Sequence, residues 1–355
     1  MNSLSRVFQP LGPIMMDLKG PAITDDEKRF LLNPGVGGVI LFSRNIVDSV
    51  QLEELCREIH SMRSPALLIS IDHEGGRVQR LTCGVTPLPA MSRLGDLAEH
   101  SGLSRAIEAA RSIGNLVGSE LSDLGIDINF SPCLDIEYHR SDVIGDRAIH
   151  GNPNWVGAIG YAIWSSMDEF GVSGVAKHFP GHGWAVNDTH VAVAEDLRDQ
   201  SAIASDLVPF QQLISAGLKG IMPAHCIYPM HDSNPAGYSD YWIRKVLRND
   251  MGFAGAVISD SLSMRAAHEA GSMVQRILAS QSAGVDMQLV CNDRCGLEAA
   301  LIVTETFPYR PGLEARLESL RPVKKQKLSK AARADALRFV EICEQLTRTD
   351  QHHRG

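Results

Sequence analysis

The stretch VGGVILFSR, residues 36–44, is an apolar run that ends abruptly in a serine and an arginine. Its apolar residues are continuous rather than alternating, which is typical of a parallel β-strand covered on both faces. Other short runs share this character, and each is followed by a segment with a helical pattern. Together the eight predicted strands are residues 13–16, 36–42, 66–71, 126–131, 174–176, 220–223, 254–258 and 285–290.

A polar side chain stands at or just past the carboxyl end of each predicted strand. Eight such ends would converge on one mouth in a (β/α)₈ TIM barrel, whereas in the rival doubly wound sheet they would be spread along an edge. For any single Asp or Asn, capping of the next helix is the simpler explanation. The set as a whole favours the barrel and consists of Asp17, Ser43, Arg44, Asp72, Asp135, His178, His225, Asp260 and Asn292.

Helix signals between the strands support an α/β fold. Thr24 and Glu27 form a capping-box pattern, and apolar residues recur on one face over residues 104–124. A further helix is predicted over residues 262–282, and another over 328–346. We expect one catalytic barrel domain at residues 1–310 and a C-terminal helical extension at 311–355 that packs on it.

Composition excludes several classes of partner. The net charge is −8 without a clustered basic face, which argues against nucleic-acid binding. Seven cysteines are an odd number scattered along the chain, so reduced thiols are expected. We see neither a secretory signal pattern nor an apolar run long enough to span a bilayer. These features predict a cytoplasmic protein with no membrane or nucleic-acid partner. Separately, we expect a monomer that acts on a small molecule.

Two arginine-containing stretches and one acidic strand end are candidates for chemistry. IDHEGGRVQR, residues 71–80, places Asp72 before a Gly-Gly turn and Arg80 after it, which suits either hydroxyl binding or a surface salt bridge. Arg147 lies in IGDRAIHG, residues 144–151, a weak signal by itself. Asp260 in AVISDSLSM, residues 256–264, is equally compatible with a nucleophile, base or metal ligand and with a helix cap.

The stretch KHFPGHGWAVNDTH, residues 177–190, concentrates histidines in a turn-rich loop. Lys177 and His178 fall where the fifth strand should end. Asp188 precedes His190 by two residues, so in an extended loop it can accept the imidazole N–H and make His190 a proton-transfer group. The inventory suits two enzyme classes: a zinc-dependent barrel hydrolase with histidine ligands, or a glycosidase with Asp260 as its carboxylate.

Four ordered blocks, IDHEGGRVQR, IGDRAI, KHFPGHG with Asp188-Thr189-His190, and SDSLSM, resemble the signature of glycoside hydrolase family 3. Within that family they are similar to the bacterial β-N-acetylglucosaminidases of peptidoglycan recycling. The resemblance implies a TIM barrel, retention of configuration and no metal or organic cofactor. It also implies a substrate with terminal β-linked N-acetylglucosamine, above all muropeptides that carry 1,6-anhydro-N-acetylmuramic acid.

The same resemblance assigns roles to individual residues. Asp260 matches the nucleophile that forms a covalent glycosyl-enzyme, and His190, assisted by Asp188, matches the acid/base. The expected sugar-binding residues are Asp72, Arg80, Arg147, Lys177 and His178. Three alternatives stay open: a phosphorylase that uses the same site, a zinc-dependent amidohydrolase, and a catalytically silent sugar-binding barrel.

Overall fold

The computed structural model describes residues 9–187, 194–321 and 326–350. Its central feature is a sheet of eight parallel strands, formed by β1, β2, β3, β6, β7, β9, β12 and β13. In chain order the strands are β1 (Ile14–Asp17), β2 (Val36–Leu41), β3 (Leu68–Ile71), β4 (His73–Gly75), β5 (Val78–Gln79), β6 (Ile128–Asn129), β7 (Ser173–Phe179), β8 (Ala194–Glu195), β9 (Gly220–Pro223), β10 (Cys226–Tyr228), β11 (Asp232–Pro235), β12 (Ala256–Val257) and β13 (Gln288–Val290).

The spatial order of the main sheet follows the chain. β1 lies between β13 and β2, and each later strand of the sheet pairs with the next one. A parallel bridge between Ile258 and Met287 also connects the segments beside β12 and β13, the two strands at the ends of this order. The Ser259 N–H donates to the Met287 carbonyl at 2.9 Å. The predicted α/β class with a parallel sheet is confirmed.

Strand residues alternate between two apolar clusters, because successive side chains of a strand point to opposite faces. Met15 and Ile40 belong to one cluster, whereas Ile14, Met16 and Val39 belong to the other, which also contains many helix residues. Each such fully buried side chain contributes about 1.5–3 kcal/mol relative to an exposed one. Burial on both faces explains why the strands read as continuous apolar runs.

The α-helices lie between the strands, and the first begins as predicted: the Thr24 side chain accepts from the Glu27 N–H, and Glu27 accepts from the Thr24 N–H. The helices are α1 (Asp25–Leu31), α2 (Ser49–Ser61), α3 (Ser92–Ser101), α4 (Leu103–Asp123), α5 (Pro153–Glu169), α6 (Gln200–Ser215), α7 (Met273–Ala283), α8 (Arg294–Thr304), α9 (Leu313–Glu318) and α10 (Lys330–Asp350). Shorter elements are 3₁₀ helices at Ser43–Asn45, Gly145–Arg147, Ala236–Tyr238 and Arg265–Ala270 and a π-helix at Tyr241–Asp250.

The single helix predicted over residues 262–282 is wrong. A 3₁₀ helix over Arg265–Ala270 ends at Gly271, whose φ of 92° favours glycine. Ser272 then caps α7, with its side chain accepting from the Gln275 N–H while Gln275 accepts from the Ser272 N–H. The capping box restarts the helix, so two elements with different axes replace one.

The fifth predicted strand, residues 174–176, is too short. β7 continues to Phe179 because the polar side chains that appeared to end it are inside the protein. Lys177 is 3 % exposed and His178 is 7 % exposed, and both have charged partners there. Because these residues are polar, the sequence predicted that the strand ends before them. Their buried ion pairs allow the strand to continue to Phe179.

The C-terminal helix α10 packs against α3 and α4. Arg333 donates to Glu120 of α4 at 2.6 Å, and the Arg105 guanidinium lies 4.5 Å from the ring centroid of the buried Phe339. Within the described ranges, none of the helices combines the length and the apolar character that a bilayer crossing requires.

Candidate active site

A cavity of about 1090 Å³ opens at the carboxyl ends of the sheet strands. Carboxyl ends of parallel strands meet on one side, so residues distant in the chain converge there. Asp72 follows β3, Lys177 and His178 belong to the end of β7, and Asp260 follows β12. Asp260 and all five predicted sugar-binding residues line this cavity: Asp72, Arg80, Arg147, Lys177 and His178.

Lys177 and Arg147 are held by two acids. The Lys177 Nζ donates to Asp72 Oδ1 at 2.8 Å and to Glu74 Oε1 at 2.6 Å. Arg147 binds both oxygens of Glu74, from Nε and Nη2, each at 2.8 Å. Two cations thus face two carboxylates, and we refer to Asp72, Glu74, Arg147, Lys177 and His178 as the deep wall of the cavity.

The charges of the deep wall stabilise one another. Burial alone would raise the pKa of Glu74, yet Arg147 and Lys177 hold that pKa well below its usual value. Burial would likewise lower the pKa of Lys177, but Asp72 and Glu74 raise it. Both side chains are therefore ionised at neutral pH. Asp72, whose side chain keeps 18 % exposure, presents a fixed carboxylate to the cavity, with Arg80 Nη2 3.6 Å from its Oδ2.

His178 is oriented by a buried acid. Its Nδ1 lies 2.6 Å from Asp135 Oδ2, and Asp135 also accepts the N–H groups of His178 and His182. An ionised carboxylate only accepts, so the Nδ1 of His178 carries the hydrogen. Burial would raise the pKa of Asp135, but His178 and His182 bring it below its ordinary range. The other ring nitrogen of His178, Nε2, lies 3.5 Å from Arg147 Nη2 at the cavity lining.

Asp260 is partly exposed to the cavity, with Oδ1 accepting from the Ser261 N–H at 2.7 Å. Burial would raise its pKa, whereas His225, His178 and the Ser261 N–H lower it below the ordinary value. The carboxylate is therefore charged at neutral pH. His225 lies behind the cavity lining, with Nε2 3.1 Å from the Ser261 carbonyl, and burial lowers its pKa.

The loop predicted to carry the acid/base is described as far as Asn187, so Asp188 and His190 lie outside the described residues. Its first part is well anchored. The Tyr228 hydroxyl donates to the Gly181 carbonyl at 2.8 Å. Trp184 lies between two guanidiniums, with Arg140 4.0 Å and Arg198 4.8 Å from its ring centroid.

Three residues with a direct place in this site were not assigned by sequence reasoning: Glu74, Asp135 and His182. Glu74 stands two residues after Asp72, a same-side acid pair that could have been noticed, and Asp135 was noted only as a strand end. His182 lines the cavity at 3 % exposure, and neither ring nitrogen has a hydrogen-bond partner in the described part of the chain.

Two strand-end residues expected at the mouth instead brace the rim. Asp17 accepts from the Arg44 side chain and, at 3.0 Å, from the Asn292 N–H. Arg44 also donates to the Leu18 carbonyl at 2.9 Å. These bonds tie the ends of β1, β2 and β13 together, so this pair stabilises the frame of the site.

The zinc-hydrolase alternative requires histidines and Asp260 to surround one point. In the ranges that the structure describes, the group close enough to share a metal is instead Cys133, Asp135 and His178. Asp135 already bonds to both of its neighbours, since Cys133 Sγ is 3.1 Å and His178 Nδ1 is 2.6 Å from Oδ2. Asp260 is not part of this group, and this geometry favours the glycosidase.

Comparison with known families agrees with that reading. The model of the glycosyl hydrolase family 3 N-terminal domain matches residues 8–319. The chain belongs to this family. The sequence-based prediction of a family 3 glycoside hydrolase is confirmed.

Family 3 relatives of high similarity are named beta-hexosaminidases. The protein from Thiobacillus denitrificans is 50% identical over 284 residues, 79% of each chain. That from Nitrosomonas eutropha is 42% identical over 340 residues, covering 95% of this chain and 97% of its own. The crystal structure of native NagZ from Neisseria gonorrhoeae has a TM-score of 0.89 at 37% identity, with 96% of this chain and 99% of that chain covered. These similarities support β-N-acetylhexosaminidase activity.

Proposed function

We propose that this family 3 enzyme is a retaining exo-β-N-acetylglucosaminidase that releases terminal β-linked N-acetylglucosamine from the disaccharide with 1,6-anhydro-N-acetylmuramic acid, with or without an attached peptide, in cell-wall recycling. The observation that carries the proposal is the convergence, in one cavity, of the Asp260 carboxylate with the hydroxyl-binding groups of the deep wall. A cytoplasmic role in cell-wall recycling, which the resemblance of the motifs implies, belongs to the same proposal.

Asp260 is the proposed nucleophile. Its lowered pKa keeps the carboxylate ionised, and the Ser261 N–H at Oδ1 fixes its orientation. Attack on the anomeric carbon gives a covalent glycosyl-enzyme, which water then hydrolyses with retention of configuration. His178 and Lys177 of the deep wall also stabilise the negative charge of the nucleophile.

The sugar lies against the deep wall in this proposal. Asp72 accepts sugar hydroxyls, and Arg147, Lys177 and Arg80 supply donors at its edge. The orientation of His178 Nε2 is held by the Asp135 hydrogen bond at the other ring nitrogen. Fixed polar groups in a buried cavity discriminate well between sugars, because a missing hydroxyl leaves a buried group unpaired.

His190, supported by Asp188, is the proposed acid/base. The described stem of its loop reaches the site, since Val186 lines the cavity. A second carboxylate next to Asp260 would raise one pKa of the pair, whereas imidazole donates a proton without adding negative charge. His190 on this loop is therefore suited to donate the proton that the leaving oxygen needs.

The scaffold in this proposal is a closed (β/α)₈ barrel at residues 1–310, with residues 311–355 as a C-terminal helical extension packed on it. Support for closure comes from the bridge between Ile258 and Met287 and from the two alternating apolar clusters, one of which consists mainly of inward strand side chains. A closed barrel brings Asp260 and the deep wall around a single axis.

The test is release of N-acetylglucosamine from its 4-nitrophenyl β-glycoside, with and without phosphate, and identification of the sugar product. Asp260→Asn is expected to reduce kcat at least about 1000-fold while sugar binding persists. His190→Ala should lose activity most severely with leaving groups of high pKa. Free sugar rather than sugar phosphate is expected in both buffers. Near wild-type turnover by Asp260→Asn would reject the mechanism.

A further inference from the structure

The mouth of the cavity, which we define as Asp142, Arg265 and His268, differs from the deep wall by being exposed to solvent. Arg265 and His268 belong to the 3₁₀ helix Arg265–Ala270. Side chains three residues apart eclipse one another on such a helix. Ala266 and Ala267, which lie between them in the chain, are buried against the protein. The side chains of Arg265 and His268 lie on the other side of the helix and line the cavity.

Arg265 is the cavity arginine left available to a ligand. It has no ion-pair or hydrogen-bond partner among residues 9–187, 194–268, 270–321 and 326–346. The other arginines of the lining are all engaged: Arg77 with Asp146, Arg80 with Asp72, Arg147 with Glu74, and Arg276 with the Gly271 and Leu262 carbonyls. His268 contributes a second possible donor, although its Nε2 is also 3.3 Å from the Ser263 carbonyl.

The position of Arg265 relates it to the leaving group. It follows Asp260 by five residues, a separation of at most about 18 Å even in a fully extended chain, and a turn at residues 262–263 shortens it. The deep wall takes the N-acetylglucosamine ring, so whatever is attached beyond the scissile bond occupies the exposed side. That side is where Arg265 presents a guanidinium, the side chain best shaped to bind a carboxylate.

We propose that Arg265, assisted by His268, is a specificity-determining residue that binds a carboxylate on the aglycone. This inference rests on the proposed function and adds the chemistry of the second substrate moiety: an acidic sugar such as peptide-free 1,6-anhydro-N-acetylmuramic acid, whose lactyl ether ends in a free carboxylate. Asp142 also lies at the mouth, and its carboxylate has no ion pair within the described chain. The mouth therefore carries both positive and negative charge. Recognition of a carboxylate depends on direct contact with Arg265 and not on a positive electrostatic potential over the whole mouth.

The experiment compares two substrates that differ only in this charge: the disaccharide of N-acetylglucosamine and 1,6-anhydro-N-acetylmuramic acid, and its methyl ester. Arg265→Gln should reduce kcat/KM for the acid about tenfold, as expected for a partly exposed charge-assisted hydrogen bond, and change that for the ester less than twofold. Arg265→Lys should retain part of the preference. The control is Arg111→Gln, the same charge change on the exposed side of α4, which should leave both values unchanged.

The outcomes separate this inference from the function it rests on. If wild type releases no N-acetylglucosamine from the acid, the ester or the 4-nitrophenyl glycoside, the proposed function fails. If wild type is active and Arg265→Gln lowers both disaccharides equally, or leaves their ratio unchanged, the function stands and the role of Arg265 is overturned. A selective loss on the acid, absent in Arg111→Gln, establishes the contact.

Discussion

The deep wall and the mouth of the cavity both carry charged side chains, but they satisfy them differently. In the deep wall, Lys177 and Glu74 are almost fully buried and bind one another, because an unpaired buried charge costs several kcal/mol. At the mouth, Arg265 is exposed and has no ion-pair partner among the side chains that the structure describes. Paired, buried charges are rigid and suited to orienting a sugar, whereas a free exposed charge can exchange water for a ligand.

The strongest test of this contrast is Glu74→Gln in the deep wall. The change leaves Arg147 and Lys177 buried with only Asp72 as an anion, so we expect a loss of about 3–5 kcal/mol in the free energy of unfolding and a large loss of kcat/KM. Urea denaturation and the chromogenic assay measure the two effects. Glu99→Gln, at an exposed glutamate that contacts His150, is the control and should cost little. Equal effects of the two changes would remove the distinction between buried and exposed pairs.

A second test addresses orientation rather than burial of charge. Asp135→Asn can still accept a hydrogen bond but no longer fixes the hydrogen on Nδ1 of His178, so we expect kcat/KM to fall about 10- to 100-fold, with an altered pH profile. Asp146→Asn, next to exposed Arg77, serves as the matched change. An unaltered pH profile together with full activity in Asp135→Asn would show that this hydrogen bond is dispensable.

The third test uses pH. Burial lowers the pKa of His73, beside the deep wall, to about 4 from an ordinary value of 6.5. Between these values the unfolded chain binds a proton that the folded chain does not, so stability falls as pH drops from about 6.5 to 4, by up to about 3 kcal/mol. His73→Gln should flatten this part of the curve of unfolding free energy against pH. His100→Gln, on the exposed end of α3, should preserve it, and identical curves for wild type and His73→Gln would contradict the assignment.

The smallest effect is expected at the mouth. Asp142→Asn removes an exposed carboxylate without a side-chain partner in the described chain, so we expect less than about 0.5 kcal/mol in stability and less than about threefold in kcat/KM for the neutral chromogenic substrate. Thermal unfolding and steady-state kinetics measure both. A change as large as that of Glu74→Gln would mean that the mouth is as tightly integrated as the deep wall.

Sequence reasoning located the strands and most of the candidate site because both depend on local patterns. Continuous apolar runs gave the eight parallel strands, and the residues directly after them included Asp72 and Asp260. The same reasoning failed where local signals competed. The helical pattern in the sequence continues across Gly271. In the structure the 3₁₀ helix ends there, and the capping box at Ser272 begins a new helix, α7. Polarity ended the fifth strand too early at Lys177.

Other features depended on partners far apart in the chain. Glu74 and Arg147 are 73 residues apart, and the acid that orients His178 lies 43 residues before it. No periodicity reports such pairs, since only the fold brings them together. The sequence also does not show that Arg265 is available to a ligand. That depends on which nearby acids and carbonyls are already bound by the other arginines.

The amino-acid sequence by itself determined the alternation of strands and helices, the glycosidase family and the residues that converge on one end of the sheet. These follow from short-range hydrophobic periodicity and from ordered motifs. The tertiary structure alone decided which charges are neutralised within the protein and which remain free for a ligand. Burial and pairing depend on distances between remote segments, and those distances set both the pKa values of the deep wall and the availability of the mouth.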